Sequence, residues 1–357
     1  MKKLVNQVNS KLINPAKEKV VDPINLRIKK QNKSMQRFIY ASLTIGFVYI
    51  LLILGMLTGL IDSYLSGIIV SIMINIIMAV SLALVTGYLG ELVLGHAGFM
   101  AVGAYTAAIL TMQLNLPMII EFPIAIICGG LLSSLVGIII GIPALRLRGD
   151  YLGIITLGFG EIIRIILNNL DITNGARGLS GIPHYSNFSV TFFVTIIVIV
   201  ILYKLISSKT GRAIVAIRDN EIATDCIGIS TFFYKTLAFS CAAFFAGVAG
   251  GLYAHYHTVL NPVSFGFMQS IEVLIIVVLG GMGNLFGTII AAVILGILNE
   301  LLRSFSEYRM IMYSLILIIM MICKAKGITL AIIKSKFANR SPKKSKGGKS
   351  DARSFKN

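Results

Sequence analysis

The chain has 357 residues, of which 56% are hydrophobic and only 13% charged, against roughly 25% charged in soluble domains. Apolar runs recur from Phe38 to Cys323. That composition excludes an ordinary soluble enzyme and makes the chain an all-α, polytopic helical membrane protein. The formal net charge of +17 belongs to the two ends. Met1–Arg37 holds ten Lys/Arg against Glu18 and Asp22, and Lys324–Asn357 holds eleven against Asp351, which leaves 11 basic and 12 acidic residues in Phe38–Cys323.

The domain reading follows from that split: a basic tail over residues 1–37, a membrane body over 38–323, and a second basic tail over 324–357. Lys/Arg flanking the outermost spans predicts that both tails are cytoplasmic, where they can rest on anionic membrane lipid. Nucleic-acid binding is set aside, because no aromatic interleaving or folded basic domain accompanies the charge. The first apolar run starts late and is long, which argues against a cleavable signal peptide. Cys128, Cys226, Cys241 and Cys323 show neither paired nor metal spacing, so free thiols are expected.

In chain order, Phe38–Leu60 is the first expected span and Gly67–Thr86 the second. The Gly/Ala-rich Tyr88–Met112 is the third and Pro117–Ile140 the fourth, leading to a loop with Arg146 and Arg148. Gly149–Asn169 follows, polar enough that a simple helix is not expected, and Asp171–Tyr185 is read as external. Phe188–Ile206 precedes a polar island, Ser207–Lys235. Beyond it come Leu237–Tyr256, Ser264–Gly281, Leu285–Leu302 and Arg309–Cys323, which makes ten membrane segments with Gly-broken central helices. The basic residues of the short loops (Arg146, Arg148, Lys209, Arg212, Arg218, Lys235) then share one side, as the positive-inside rule requires. Tyr88–Met112 and Gly149–Asn169 are the segments open to a re-entrant or broken reading.

The island SSKTGRAIVAIRDNEIATDCIGISTFFYK is too long for a simple turn. Arg212–Arg218 and Asn220–Ile227 read as two short amphipathic helices, with Gly228 as a stop. Ala213, Ile214 and Ile217 form the inward stripe. A compact helical element at the surface of a membrane protein suits the docking of a partner.

Three glycine clusters coincide with polar residues: Gly95–Gly98 around His96, Gly158–Gly160 before Glu161, and Gly280–Asn284, which includes Gly283. Small residues let membrane helices approach closely. Broken segments at membrane depth are tolerated where they are buried or line a cavity, so the same residues are candidates for a translocation path. His96 is read either as satisfied by backbone carbonyls at a helix break or as lining that path. Glu161 and Arg164 share a helix face and are expected to form an ion pair. His255 and His257 have no third ligand nearby, so no metal is expected. Glu272 is expected to pair with another helix. Gly347-Gly-Lys-Ser350 ends like a phosphate loop, but Lys343 stands where its first glycine belongs.

Gly87–Ala108 (GYLGELVLGHAGFMAVGAYTAA), Gly141–Asn169, Thr173–Pro183 (TNGARGLSGIP), Gly211–His255 and Val278–Glu300 (VLGGMGNLFGTIIAAVILGILNE) together resemble the permease subunits of branched-chain amino-acid ABC importers, of the LivM type. The resemblance spans Gly87–Glu300, in the family's order. It implies a passive, non-enzymatic membrane subunit without cofactor, working in a bacterial cytoplasmic membrane. It implies a second permease subunit as heterodimer partner, two cytosolic ATPase subunits and an extracytoplasmic binding protein. It also implies that Gly211–Gly228 is the ATPase-coupling loop, with Glu221, Ala223 and Gly228 at the matching positions and Gly211, Arg212, Ala213, Ile217 and Arg218 in its first helix. Lys324-Ala-Lys-Gly-Ile328 lacks the family's usual proline, Val93 stands where a serine is usual, and both tails are longer and more basic than the pattern.

Alternatives remain open at this point. The same importer class also carries urea, short amides or other amino acids. A channel or secondary transporter leaves the ordered island unexplained. An intramembrane enzyme needs a nucleophile beside a base or facing acids, and Glu91, His96, Glu161 and Glu272 form no such motif.

Overall fold

The computed structural model describes residues 62–302 other than 115 and 148, together with residues 46, 49–56, 58–59, 314–315, 318 and 322. Both expected tails, and most of the expected spans Phe38–Leu60 and Arg309–Cys323, lie outside the described residues. The chain divides into two units, residues 1–66 and 67–357. In the first, residues 49–56 are helical, and the Thr58 hydroxyl donates to the Leu54 carbonyl at 2.8 Å, closing that helix.

From residue 63 the elements are α1 (Ser63–Leu82), a π-helical segment (Ala83–Leu89), α2 (His96–Gln113), α3 (Met118–Ala144) and α4 (Asp150–Asn169). After two short 3-10 turns and a two-residue strand β1 (Leu179–Ser180) come α5 (Phe188–Ser207), α6 (Lys209–Asp219), α7 (Glu221–Cys226) and α8 (Thr231–His257). The strand β2 (Val259–Leu260), α9 (Phe267–Gly280) and α10 (Leu285–Leu301) complete the order. The one ladder among the described residues pairs Leu179 with Leu260 and Ser180 with Val259, antiparallel. The regular structure of the described residues is otherwise helical, as the apolar composition demands.

Among the described residues, five helical stretches are long and apolar enough to cross a membrane: Ser63–Leu89, Met118–Ala144, Phe188–Ser207, Thr231–His257 and Pro262–Gly280. The described residues therefore support an all-α chain of membrane-length helices rather than a count of ten. Helix α8, with 27 residues, rises about 40 Å, longer than a hydrocarbon core of about 30 Å. Its first five residues, Thr231 to Lys235, can thus lie beyond the apolar layer.

One expectation needs correction, and one reading left open is decided. Gly149–Asn169 is an uninterrupted helix from Asp150 to Asn169; its polar residues are matched by partners on other elements, so they do not break it. Tyr88–Met112 is not one segment. The π segment ends at Leu89, residues 90–95 are irregular, and α2 starts only at His96.

Helices α2, α3 and α8 form the centre of the second unit and pack through small residues. A side chain at Gly103 would overlap the backbone of Gly247, and one at Gly250 would strike the Met100 carbonyl. Lipid gives no hydrophobic drive for helix association, so close backbone approach supplies the packing attraction instead. Hydroxyls add cross-links: Ser133 donates to the Phe99 carbonyl at 2.8 Å, and Ser134 meets Ser240 at 2.7 Å.

Candidate coupling loop and its contacts with the helix breaks

Helix α6 begins where the Ser208 hydroxyl accepts the Gly211 N–H at 3.3 Å, an N-cap that satisfies one of the orphan donors of the first turn. Gly211 has no room for a side chain beneath the Ile206 carbonyl. Ala213, Ile214 and Ile217 are buried, while Arg212 faces out and reaches the Ser207 carbonyl at 3.4 Å. The Asn220 side chain caps α7 by accepting the Ala223 N–H at 3.0 Å. The chain leaves α7 through Gly228 at φ 85°, a left-handed conformation that suits glycine. On α7, Ile222 is 68% exposed, between polar Asn220 and Asp225, and Ile227 just beyond the helix is 73% exposed.

Two cations tie this loop to the membrane helices. Lys235, the fifth residue of α8 and 3% exposed, holds Glu91 Oε1 at 2.7 Å and Glu221 Oε1 at 3.0 Å. Glu91 lies in the irregular segment before α2 and Glu221 opens α7, so one ammonium bridges the loop to the break. A buried charge is tolerated only when paired, and here two carboxylates share the task. Arg218 Nη1 donates to the Gly87 carbonyl at 3.3 Å, while its Nη2 holds Asp219 at 3.0 Å. The stem of Arg218 also packs over Gly90, where a Cβ would sit 2.6 Å from Arg218 Cγ.

The element that Arg218 touches is itself unusual. In the π segment the bonds run five residues back, with Gly90 N–H to Val85 O at 3.0 Å, a rare pattern frequent at functional sites. Thr86 Oγ1 is buried with no hydrogen-bond partner among the described residues. Where the helix ends, other elements satisfy the freed backbone groups, as a non-aqueous surrounding requires. Leu94 N–H donates to Thr156 Oγ1 of α4 at 3.1 Å, and Ala97 N–H to Ser270 Oγ of α9 at 3.0 Å.

His96 is 1% exposed, and its Nε2 lies 2.8 Å from the Ser81 hydroxyl, a side-chain partner in place of the backbone carbonyls of the first of its two readings. Gly95 packs against the Thr156 carbonyl, and a Cβ at Gly98 would come 2.9 Å from Gly160 Cα, so these glycines form the α2–α4 contact. Gly280–Asn284 is a tight connection between α9 and α10. Gly280 lies against the backbone of Thr288, Gly283 has φ 82°, and Asn284 Oδ1 caps α10 by accepting the Gly287 N–H at 3.1 Å. A Cβ at Gly283 would lie 3.0 Å from Arg218 Nη1. The Leu285 N–H donates to the Tyr88 hydroxyl at 3.1 Å, so the π segment, this turn and Arg218 meet at one place.

Glu161 pairs with Arg164 at 2.6 Å. Its Oε1 also accepts the Phe267 N–H at 3.1 Å, a second partner that spacing alone did not reveal. Glu272, expected to pair with another helix, accepts a hydrogen bond from Asn299 Nδ2 of α10 at 2.9 Å. His255 is buried between Thr111 Oγ1 at 3.0 Å and the Gly251 carbonyl at 2.8 Å. Tyr185 stacks on it with ring centroids 5.7 Å apart, and its hydroxyl donates to Glu121 Oε2 at 3.2 Å. Burial and that neighbouring carboxylate push the Tyr185 phenol up from its ordinary value. Cys128, Cys226 and Cys241 are free thiols; Cys323 lies outside the described residues.

Residues 64–324 match the family described as branched-chain amino acid transport system / permease component. The chain belongs to this family. It is 39% identical over 265 residues to the high-affinity branched-chain amino acid transport system permease protein LivM of Salmonella typhimurium, with 64% of this chain and 61% of the relative covered. The same figures hold for the LivM protein of Escherichia coli. The probable branched-chain amino acid transport permease protein LivM of Methanocaldococcus jannaschii is 29% identical over 177 residues, covering 45% of this chain and 50% of the relative. The chain thus matches between half and about 61% of the length of these relatives. No solved structure matches it.

Within this permease family member, sequence reading located the loop but missed its anchor. Lys235 counted only as a sidedness marker, and Glu91 only among the ionisable residues that form no catalytic motif. The available signal was a lone lysine inside an apolar helix with a lone glutamate in a glycine-broken segment, two charges that each needed a partner.

Proposed function

We propose that this chain is the permease subunit of an ATP-driven importer that moves branched-chain amino acids across a bacterial cytoplasmic membrane. It is a passive subunit: a second permease completes the pathway, two ATPase subunits supply the energy, and a binding protein outside the membrane delivers substrate. Both termini and the 207–235 loop face the cytoplasm. The observation that carries this reading is the joint presence of the family match over residues 64–324 and a capped two-helix loop, α6 and α7, anchored to the membrane helices by Lys235. A passive pore needs no such element, whereas a subunit driven from outside the membrane does.

In this mechanism Gly211–Gly228 rests on an ATPase subunit and moves with it. The exposed Ile222 and Ile227 provide apolar contact area amid polar neighbours, and Arg212, Ala223 and Glu221 flank them. Closure of the ATPase pair displaces the loop. The packed breaks at Gly95, His96 and Gly98 and at Gly280, Gly283 and Asn284 are the joints beside the path, with Glu161 holding α9 to α4. The external binding protein does the selecting.

The test is uptake. Cells lacking the gene should lose accumulation of labelled leucine, isoleucine and valine at micromolar supply and regain it with the wild-type gene. Restored uptake of urea or a short amide instead, with no effect on leucine, would reassign the substrate; no transport phenotype at all would overturn the reading.

A further inference from the structure

The loop and the membrane helices are joined at two points, and both converge on the same short stretch. Lys235 reaches Glu91 and Glu221, and Arg218 reaches the carbonyl of Gly87 and covers Gly90. Gly87 to Glu91 is the end of the π segment and the start of the break that leads into α2. A π segment sits one residue out of register with an α-helix, so it can exchange between two discrete hydrogen-bonding patterns, and discrete alternatives transmit displacement better than elastic bending. The unpartnered buried hydroxyl of Thr86 lies in the same segment.

We infer that Arg218 and Lys235 are the positioning residues through which displacement of the loop reaches the Ala83–Leu89 π segment, and that the Glu91–Lys235–Glu221 cluster works as their rigid link. The inference rests on the proposed role of the loop as the ATPase-driven element and adds which side chains carry the motion inward. Lys235 suits the task because its ammonium is buried and has carboxylates from both sides, so neither partner can move without drawing on the other. Arg218 adds a hydrogen bond to a backbone carbonyl, which reports on register directly. The groups facing Lys235 are Glu91 and Glu221; Arg218, itself paired with the exposed Asp219, lies against Gly87 and Gly90 of the same stretch. From Tyr88 the route continues to the Leu285 N–H, so α10 is moved by the same segment that leads into α2.

The distinction to test is between a link and a mere staple. Removing Lys235 alone leaves two carboxylates uncompensated and damages folding. The triple variant Glu91→Gln/Glu221→Gln/Lys235→Met removes all three charges together, so it keeps the shape without an unpaired charge. Arg218→Met changes a surface side chain and leaves no buried charge. The transporter should be purified through a tag on this chain with the subunits that assemble on it, placed in liposomes, and assayed for labelled leucine uptake and ATP hydrolysis in the same preparation.

For both variants the expected result is loss of leucine uptake by roughly ten- to a hundredfold, with subunits co-purifying in the wild-type ratio and ATP hydrolysis proceeding without transport. If the triple variant does not assemble, Arg218→Met decides alone. Uptake per ATP equal to wild type in Arg218→Met, or in an assembled triple variant, overturns the inference. In Arg218→Met, loss of uptake in strict proportion to loss of assembly also overturns it, because a staple does that. Failure of the wild-type preparation to transport leucine or to hydrolyse ATP would strike the proposed function itself, and is therefore told apart from failure of the link.

Discussion

Glu161 Oε1 accepts the backbone N–H of Phe267 at 3.1 Å, so a carboxylate of α4 closes the first turn of α9, where the helix dipole favours negative charge. Its other oxygen holds Arg164 at 2.6 Å. Glu161→Ala should therefore lower thermal stability in detergent by roughly 1 kcal/mol. Glu161→Gln, which keeps an acceptor for Phe267 but loses the charge, should lose less. Equal loss in the two variants would mean that the ion pair, and not the cap, is what matters.

Glu221→Lys should abolish leucine uptake while the protein still reaches the membrane. The substitution sets a second ammonium against the buried Lys235, whose Nζ lies 3.0 Å from the Glu221 carboxylate. Like charges at that range repel strongly where water is scarce. Uptake assays with immunoblots of membrane fractions provide the check, and undiminished uptake would remove Glu221 from the working parts of the proposed coupling loop.

Gly98→Leu should cut uptake strongly and destabilise the chain by about 1–3 kcal/mol, since even a Cβ there would lie 2.9 Å from Gly160 Cα. Gly158→Ala, two residues from Gly160 on α4, and Gly46→Leu should be nearly silent, because a Cβ at either position meets nothing within 4 Å. Damage from the two controls equal to that from Gly98→Leu would show that glycine is needed there for some reason other than close packing.

Tyr185→Phe removes the donor to Glu121, a carboxyl that is 2% exposed, and should cost about 1 kcal/mol or more. The raised phenol adds a pH signature. A group whose folded pKa lies above its unfolded value contributes fully below the ordinary tyrosine range, and its contribution is lost as pH rises through the folded value. Melting curves taken into the alkaline range should show that loss in wild type and a shallower decline in Tyr185→Phe. An identical slope in both would dismiss the contact.

Single cysteines at Ser10, Ser180, Ser208 and Ser350, in a background where Cys128, Cys226, Cys241 and Cys323 are replaced, should sort into two classes. A membrane-impermeant thiol reagent added outside should reach only Ser180. Labelling at Ser208, or protection of Ser180, would reverse the proposed sidedness.

Much of the architecture was legible because membrane helices declare themselves locally. A run of apolar residues must bond its own backbone, so Phe188–Ser207 and Met118–Ala144 were readable as helices from composition alone. The loop was readable for a related reason: Ala213, Ile214 and Ile217 fall on one helical stripe, and Gly228 at φ 85° ends the second helix as a glycine does. The motifs from Gly87 to Glu300 carried the family. Local rules erred where a polar residue had a distant partner. Gly149–Asn169 looked too polar for a simple helix, yet Thr156 serves the Leu94 N–H and Glu161 serves Phe267. Tertiary structure alone decided these pairings, and the same holds for Lys235 with Glu91, 144 residues apart in sequence. Hydrogen bonds and ion pairs of that kind depend on which helix ends meet. Periodicity along one helix contains no term for that, whereas the requirement that every buried charge and backbone group find a partner acts only once the helices are assembled.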